Sequence, residues 1–279
     1  MAETETQVAS ARRMYDARAA NYEQSWHPHY SARFIKLLDI RPGSRILDLA
    51  CGTGLDAFLA AELVGEQGRV TAVDVSEGML AVAAERQKRD VKLGSRIDFM
   101  LYDVTDLDSN PGIPKASFDF ILCSNAFVLF QHPEEVVRSW REYLKPGGIL
   151  AVDAPHEQNF PSGLMMEHVA AQLGLFWPSN RAWVKSKNSF VQVLESRGFV
   201  VDKVVELENI SGVESPSLSV DQADEQFDRI KAIVLNESAT MDGLEGRARS
   251  IFREEFAQAA VNGKIEYVDS LYVYIAHRL

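Results

Sequence analysis

An apolar stretch that breaks on two glycines, Ile46-Leu47-Asp48-Leu49-Ala50-Cys51-Gly52-Thr53-Gly54, constrains this chain more than any other feature. Gly52 and Gly54 let the backbone turn sharply with no Cβ in the way, and residues 56–64 after them read as a helix. A strand handing over to a helix in this way aims free N–H groups and the positive helix end at one point, which suits a bound ligand. The rhythm continues downstream. Short apolar runs at Arg45–Leu49, 69–73, Ile97–Leu101, Phe118–Cys123 and 149–152 alternate with amphipathic segments at 56–64, Glu77–Arg89 and 134–144. This alternation predicts an α/β fold, a doubly wound parallel sheet with helices on both faces.

Both ends depart from that rhythm. The first forty residues read as helical, with Met14, Tyr15, Ala19 and Tyr22 at near-helical spacings and a second pattern around Phe34, Leu37 and Leu38. They are expected to form a helical cover, 1–40, on a main domain of residues 41–279. Late in the chain, a helix at 190–196 leads into a strand at Phe199–Glu208. A polar, helix-prone tract then fills 219–261, and 266–275 reads as the last strand. That order predicts an antiparallel, hairpin-like finish with a helical insertion. Residues 160–183 hold Met165, Met166, Phe176, Trp177 and Trp183, so they read as core or as an apolar cover. Lid segments are expected at about 156–187 and 214–262.

Three acids choose among ligands for the glycine turn. Asp48 lies inside the first strand, Asp74 ends the second, 22 residues after Gly52, and Asp103 follows the third. With Ala57, the turn also satisfies the looser dinucleotide pattern G-x-G-x-x-A. A buried carboxylate beside a pyrophosphate is repelled, however, and the turn holds no Lys. Asp74 is placed to accept from ribose hydroxyls. Asp103 is placed to accept from an adenine amine while the Val104 N–H donates. Three strand-end carboxylates favour a cationic adenosine ligand, and S-adenosylmethionine fits that description.

Composition narrows the remaining classes. There are 29 basic against 40 acidic residues, a formal net charge of -11, so the chain has no global attraction to nucleic acid or an anionic membrane. Two cysteines, Cys51 and Cys123, make neither a disulfide framework nor a four-ligand zinc site. No run approaches the roughly 20 apolar residues of a membrane span, and Met1 to Tyr15 lacks a secretory signal. The expectation is a cytoplasmic protein, monomer or homodimer, acting on a small molecule without metal.

From Tyr15 to Ala154 the sequence resembles the class I S-adenosylmethionine-dependent methyltransferases, in their UbiE-like branch acting on small molecules. The resemblance is carried by Tyr-Asp-Ala-Arg-Ala-Ala-Asn-Tyr at 15–22, the turn at 47–54, Val73-Asp74-Val75-Ser76 with Met79, Tyr102-Asp103-Val104, and Leu144-Lys145-Pro146-Gly147-Gly148. It implies a Rossmann-like, seven-stranded sheet whose last strand is antiparallel. It also implies a cofactor site of Tyr15, Tyr22, Asp48, Ala50, Cys51, Gly52, Gly54, Asp74, Val75, Met79, Asp103, Val104, Ser124 and Asn125, with S-adenosylhomocysteine as product. Cys51 reads as a small packing residue there, not as a reactive thiol.

The acceptor side is less legible. Ser124-Asn125-Ala126-Phe127 follows the fourth strand, where doubly wound sheets bind ligands. Trp26, His27, Phe127, Met165 and Trp183 are the expected substrate wall. His27-Pro28-His29 has no further ligands at metal spacing. His156, just past the fifth strand, is either a general base or a solvated loop histidine. These features point to methyl transfer to an apolar or aromatic molecule, on oxygen by preference, with nitrogen and carbon open. The rivals are a non-methylating binder or rearrangement catalyst on the same fold, and an NAD(P)-dependent oxidoreductase.

Overall fold

The computed structural model describes residues 5–212, 216–234 and 243–279. Two helices come first, α1 (Gln7–Arg18) and α2 (His27–Ile35), joined by a 3-10 turn. Thr6 caps α1 by accepting from the Ala9 N–H at 3.2 Å, and Pro28 starts α2, where a missing N–H costs nothing. β1 (Arg45–Leu49), α3 (Leu55–Val64), β2 (Arg69–Asp74), α4 (Glu77–Arg89), the single turn α5 (Val91–Gly94), β3 (Ile97–Leu101), β4 (Phe118–Cys123), α6 (Pro133–Arg141) and β5 (Leu144–Pro155) complete the alternating part. α6 shows why such segments are helices. Val136, Val137 and Trp140 share one buried face, and Glu134, Glu135 and Arg138 lie on the other.

After β5 come α7 (Pro161–Leu173), α8 (Lys187–Ser196), β6 (Phe199–Glu208), β7 (Ser217–Ser219), α9 (Ala223–Val234), α10 (Glu245–Ala259), β8 (Lys264–Glu266) and β9 (Ser270–Arg278). The sheet order is β3-β2-β1-β4-β5-β9-β6. All neighbours are parallel except β9, which runs antiparallel to both β5 and β6. This is the expected seven-stranded sheet with one reversed strand. β5 is longer than expected because Lys145-Pro146-Gly147-Gly148 continues the strand instead of ending a helix. Strand order reverses between β1 and β4, and the carboxyl ends of the parallel strands open a crevice there.

The helices of the two segments expected as lids pack on one another. α7, α9 and α10 pack together around Met166, Phe227, Phe252 and Phe256, all fully buried, in a core separate from the two that cover the faces of the sheet. Residues 235–242, and 213–215 at the start of the second lid, lie outside the described residues, as do residues 1–4 of the amino-terminal cover. No helix among the described residues is long and apolar enough to cross a membrane.

Candidate active site

Two cavities meet at the switch point. The first lies over the glycine turn. Of the fourteen residues expected around the cofactor, Tyr15, Tyr22, Ala50, Gly52, Asp74, Val75, Met79, Asp103, Val104, Ser124 and Asn125 line it. Asp48, Cys51 and Gly54 do not. Asp48 is buried within β1, Cys51 is a buried packing residue, and a Cβ on Gly54 would stand 3.0 Å from Phe99. Gly54 therefore serves helix–sheet packing. Gly52 is the glycine at the cavity: its φ is +54°, and a Cβ there would meet nothing within 4 Å. The reading missed Gln7, Ala11 and Thr105, which also line this space. Ala50 and Asn125 hold left-handed backbone at φ 55°, strain of the kind found at ligand sites.

Asp74 is fixed before any ligand arrives. Its Oδ2 accepts the Gly52 N–H and its Oδ1 the Ser76 N–H, each at 2.8 Å. Asp103 accepts the Thr105 N–H and hydroxyl on Oδ1. Behind the turn, burial pushes Asp48 well above the usual carboxylate range, and the charges of Asp56 and Asp74 add to the push. Burial also lifts Asp56 to about 6 against the hydrogen bonds from Ser124 and Ser31, and raises Asp74. Oδ2 of Asp48 and Oδ1 of Asp56 are buried without a hydrogen-bond partner.

The second cavity shares Tyr15, Asn125, Ala126 and Leu129 with the first. Its wall includes three of the expected substrate residues, Trp26, His27 and Phe127. His27 is stacked between Tyr22 at 4.1 Å and Trp26 at 4.0 Å, and burial lowers its pKa to about 4, so it is neutral at physiological pH. The other two expected residues lie elsewhere. Met165 is spent in the α7–α9–α10 core, and Trp183 packs on Phe190 at 5.4 Å in the sheet core.

His156 lines neither cavity, which corrects its placement as a base at the site. The Ser270 carbonyl accepts its N–H, the Gln158 N–H donates to its Nδ1 at 3.1 Å, and its ring rests on Tyr272 at 5.1 Å. Three residues earlier, Asp153 does line the second cavity. Its carboxylate accepts the Tyr30 hydroxyl at 2.5 Å and the Asn125 N–H at 2.9 and 3.0 Å. Burial lifts it to about 7 against those bonds. The same signal that marked Asp48 and Asp74, an acid at the carboxyl end of an apolar strand, pointed to Asp153 as well. Among the described residues no three His, Cys, Asp or Glu side chains gather as a metal site.

Comparison with known proteins then decides the family. A model described as "Methyltransferase domain" matches residues 40–198, more than half of the chain. The chain belongs to the methyltransferase domain family. Within it the chain is of the UbiE-like branch, and its methyl donor is S-adenosylmethionine. It is 36% identical over 124 residues to nocamycin O-methyltransferase of Saccharothrix syringae, an alignment covering 44% of this chain and 42% of that protein. The chain thus aligns with less than half of the nocamycin enzyme's length. Aklanonic acid methyltransferase DauC of Streptomyces sp. (strain C5) is 26% identical over 207 residues, 66% of this chain and 89% of that protein. The solved [4+2]-cyclase SpnF shares the fold at 17% identity and a TM-score of 0.61, over 99% of this chain and 97% of that one.

The residues present fit the family's donor. The first cavity is lined by two carboxylates and by no Lys or Arg among the described residues, and an unpartnered carboxylate oxygen lies behind the turn. That field suits a cation and opposes a pyrophosphate, against the oxidoreductase reading.

Proposed function

We propose that this enzyme methylates an oxygen of a small, largely apolar acceptor held in the second cavity. The observation that carries the reading is the shared wall. Tyr15, Asn125, Ala126 and Leu129 belong to both cavities, so a donor in one is adjacent to an acceptor in the other. S-adenosylmethionine supplies a methyl group already activated by its sulfonium. The chain's own task is alignment, which is worth roughly 7–11 kcal/mol of barrier in favourable cases.

In this reading Asp74 takes the ribose hydroxyls and Asp103 and Val104 the adenine, while Asp48, buried behind the turn, is held in its ionised form only when a cation lies in the first cavity. Asp153 replaces His156 as the residue that takes the acceptor's proton. It lines the acceptor cavity, adjoins the shared Asn125, and has a pKa of about 7, suited to a base near neutral pH. An oxygen acceptor agrees with the nocamycin O-methyltransferase relative. Trp26, Phe160, Trp177 and Leu271 support an apolar or aromatic body.

The test is incubation with methyl-labelled S-adenosylmethionine and a panel of aromatic hydroxy compounds. Release of S-adenosylhomocysteine with label on an acceptor oxygen is the expected result. Label on carbon or nitrogen overturns the oxygen assignment. Tight binding of the cofactor with no turnover on any acceptor favours the non-methylating alternative.

A further inference from the structure

Arg181 is a buried charge without a counter-ion in contact among the described residues. It lines the acceptor cavity and is 7% exposed. Two of its nitrogens donate to the carbonyl oxygens of Asn159 and Phe160, and its Nε is buried with no hydrogen-bond partner. The neighbouring acid does not neutralise it by contact. Both oxygens of Glu167 are taken by the N–H of Arg181, and the Ala182 N–H and Ser179 hydroxyl donate to them as well. Burial lowers the guanidinium to about 10, partly offset by the charge of Glu167. A buried cation left without a counter-ion is costly, and an anion entering the cavity would relieve that cost.

We propose that Arg181 anchors a delocalised oxyanion, a carboxylate or an enolate, on the acceptor molecule. This rests on the assignment of the second cavity to the acceptor. A guanidinium fixed by two carbonyls presents a planar donor face, which matches the planar oxygen pair of such anions. The surrounding charges agree. Arg18, on α1, lines the same cavity and forms no ion pair among the described residues, while His27 is neutral. Asp153 is the carboxylate on that wall, and with a pKa of about 7 it carries less than a full charge at neutral pH. Arg181 lines the second cavity and not the first, so in this proposal the anion it holds is an anchor and the methylated oxygen is a separate group.

The probes are 2-naphthoate, its uncharged partner 2-naphthamide, and 2-phenyl-1,3-indandione as a planar enolate. Binding is read from quenching of tryptophan fluorescence, since Trp26 and Trp177 line the cavity. The full chain is used, with and without S-adenosylhomocysteine, and S-adenosylhomocysteine affinity is measured separately by calorimetry. At least one anion should bind about tenfold or more tightly than the amide. Arg181→Met should abolish that preference, Arg181→Lys should keep part of it, and both should leave S-adenosylhomocysteine affinity unchanged. Preference for naphthoate identifies a carboxylate, and preference for the indandione an enolate. Equal binding of anions and amide by the wild type overturns the proposal even if Arg181→Met does not fold, as does an unchanged preference in a folded Arg181→Met. Loss of S-adenosylhomocysteine binding in the wild type would instead strike the underlying cofactor assignment.

Discussion

Asp74 is held by two backbone N–H groups on opposite oxygens, so one lone pair on each is already oriented when the cofactor arrives. Replacing it removes both an acceptor and the clamp on the glycine turn. Asp74→Ala should weaken S-adenosylhomocysteine binding by about 1–3 kcal/mol, measured by calorimetry. An unchanged affinity would remove Asp74 from the ribose site. Gly52→Val should be worse still, because its left-handed φ strains any branched residue and the added methyls would enter the cavity. On the acceptor side, Tyr30 holds the carboxylate of Asp153 in its charged form through its hydroxyl. If Asp153 is the base, turnover should rise as pH passes about 7. Tyr30→Phe should move that limb to higher pH by about one pH unit, and Asp153→Asn should lower turnover about 10²–10⁴-fold. A Tyr30→Phe profile that overlays the wild type would leave the pair a structural role.

Elements show where the sequence was readable. The parallel strands announce themselves because each is a short apolar run bounded by turn residues, and Gly52 and Asp74 follow from the first two strand ends. The unit of α7, α9 and α10 is a different case. α7 meets α9 and α10 across long stretches of chain, so Met165 looked the same from the sequence whether it faced a substrate or Phe252. Trp183 was ambiguous for the same reason, and Arg181 was hidden as the single Lys or Arg of residues 160–183. The docking of α1 was equally invisible. Asp16 accepts from the Ser76 hydroxyl at 2.6 Å and from the Gly78 N–H at 2.8 Å, so a residue of α1 caps the start of α4. Arg12 donates to the Val75 carbonyl, and Gln7 to Pro178. A Cβ on Gly78 would stand 3.1 Å from the Asp16 Cα, so α1 would have to give by a few tenths of an ångström, and a branched side chain would demand more. Gly78→Val should therefore lift α1 and open the first cavity. Amide exchange around Tyr15 and Tyr22 should accelerate in that variant, and S-adenosylhomocysteine should slow it in the wild type. Equal exchange with and without ligand would make α1 a fixed wall and not a closing cover.

Across the whole molecule, the switch point gathers four carboxylates, Asp48, Asp56, Asp74 and Asp153, all raised by burial. The native state then holds protons that the unfolded chain has already lost above about pH 4, so these groups make stability fall as pH rises through their folded values. His27 acts the other way. With a folded value of about 4, it resists a proton that the unfolded chain accepts below about 6.5, so its effect is spent once pH exceeds that point. Between about pH 6.5 and 8 the carboxylates prevail, with Asp153 titrating in the middle of the window. The Tm of the ligand-free protein should fall across that range. The net charge of -11 adds surface repulsion of the same sign, but salt screens the surface and leaves the buried groups largely untouched. The fall should therefore persist in about 0.5 M salt and shrink in Asp153→Asn. A cation in the first cavity opposes it by favouring the ionised carboxylates. S-adenosylmethionine should accordingly raise Tm more at pH 8 than at pH 6.5, and by a wider margin than S-adenosylhomocysteine, which lacks the sulfonium charge. A Tm that is flat or rising in the ligand-free protein, or a margin between the two ligands that does not grow with pH, would mean that the buried acids are structural and do not select the cofactor's charge.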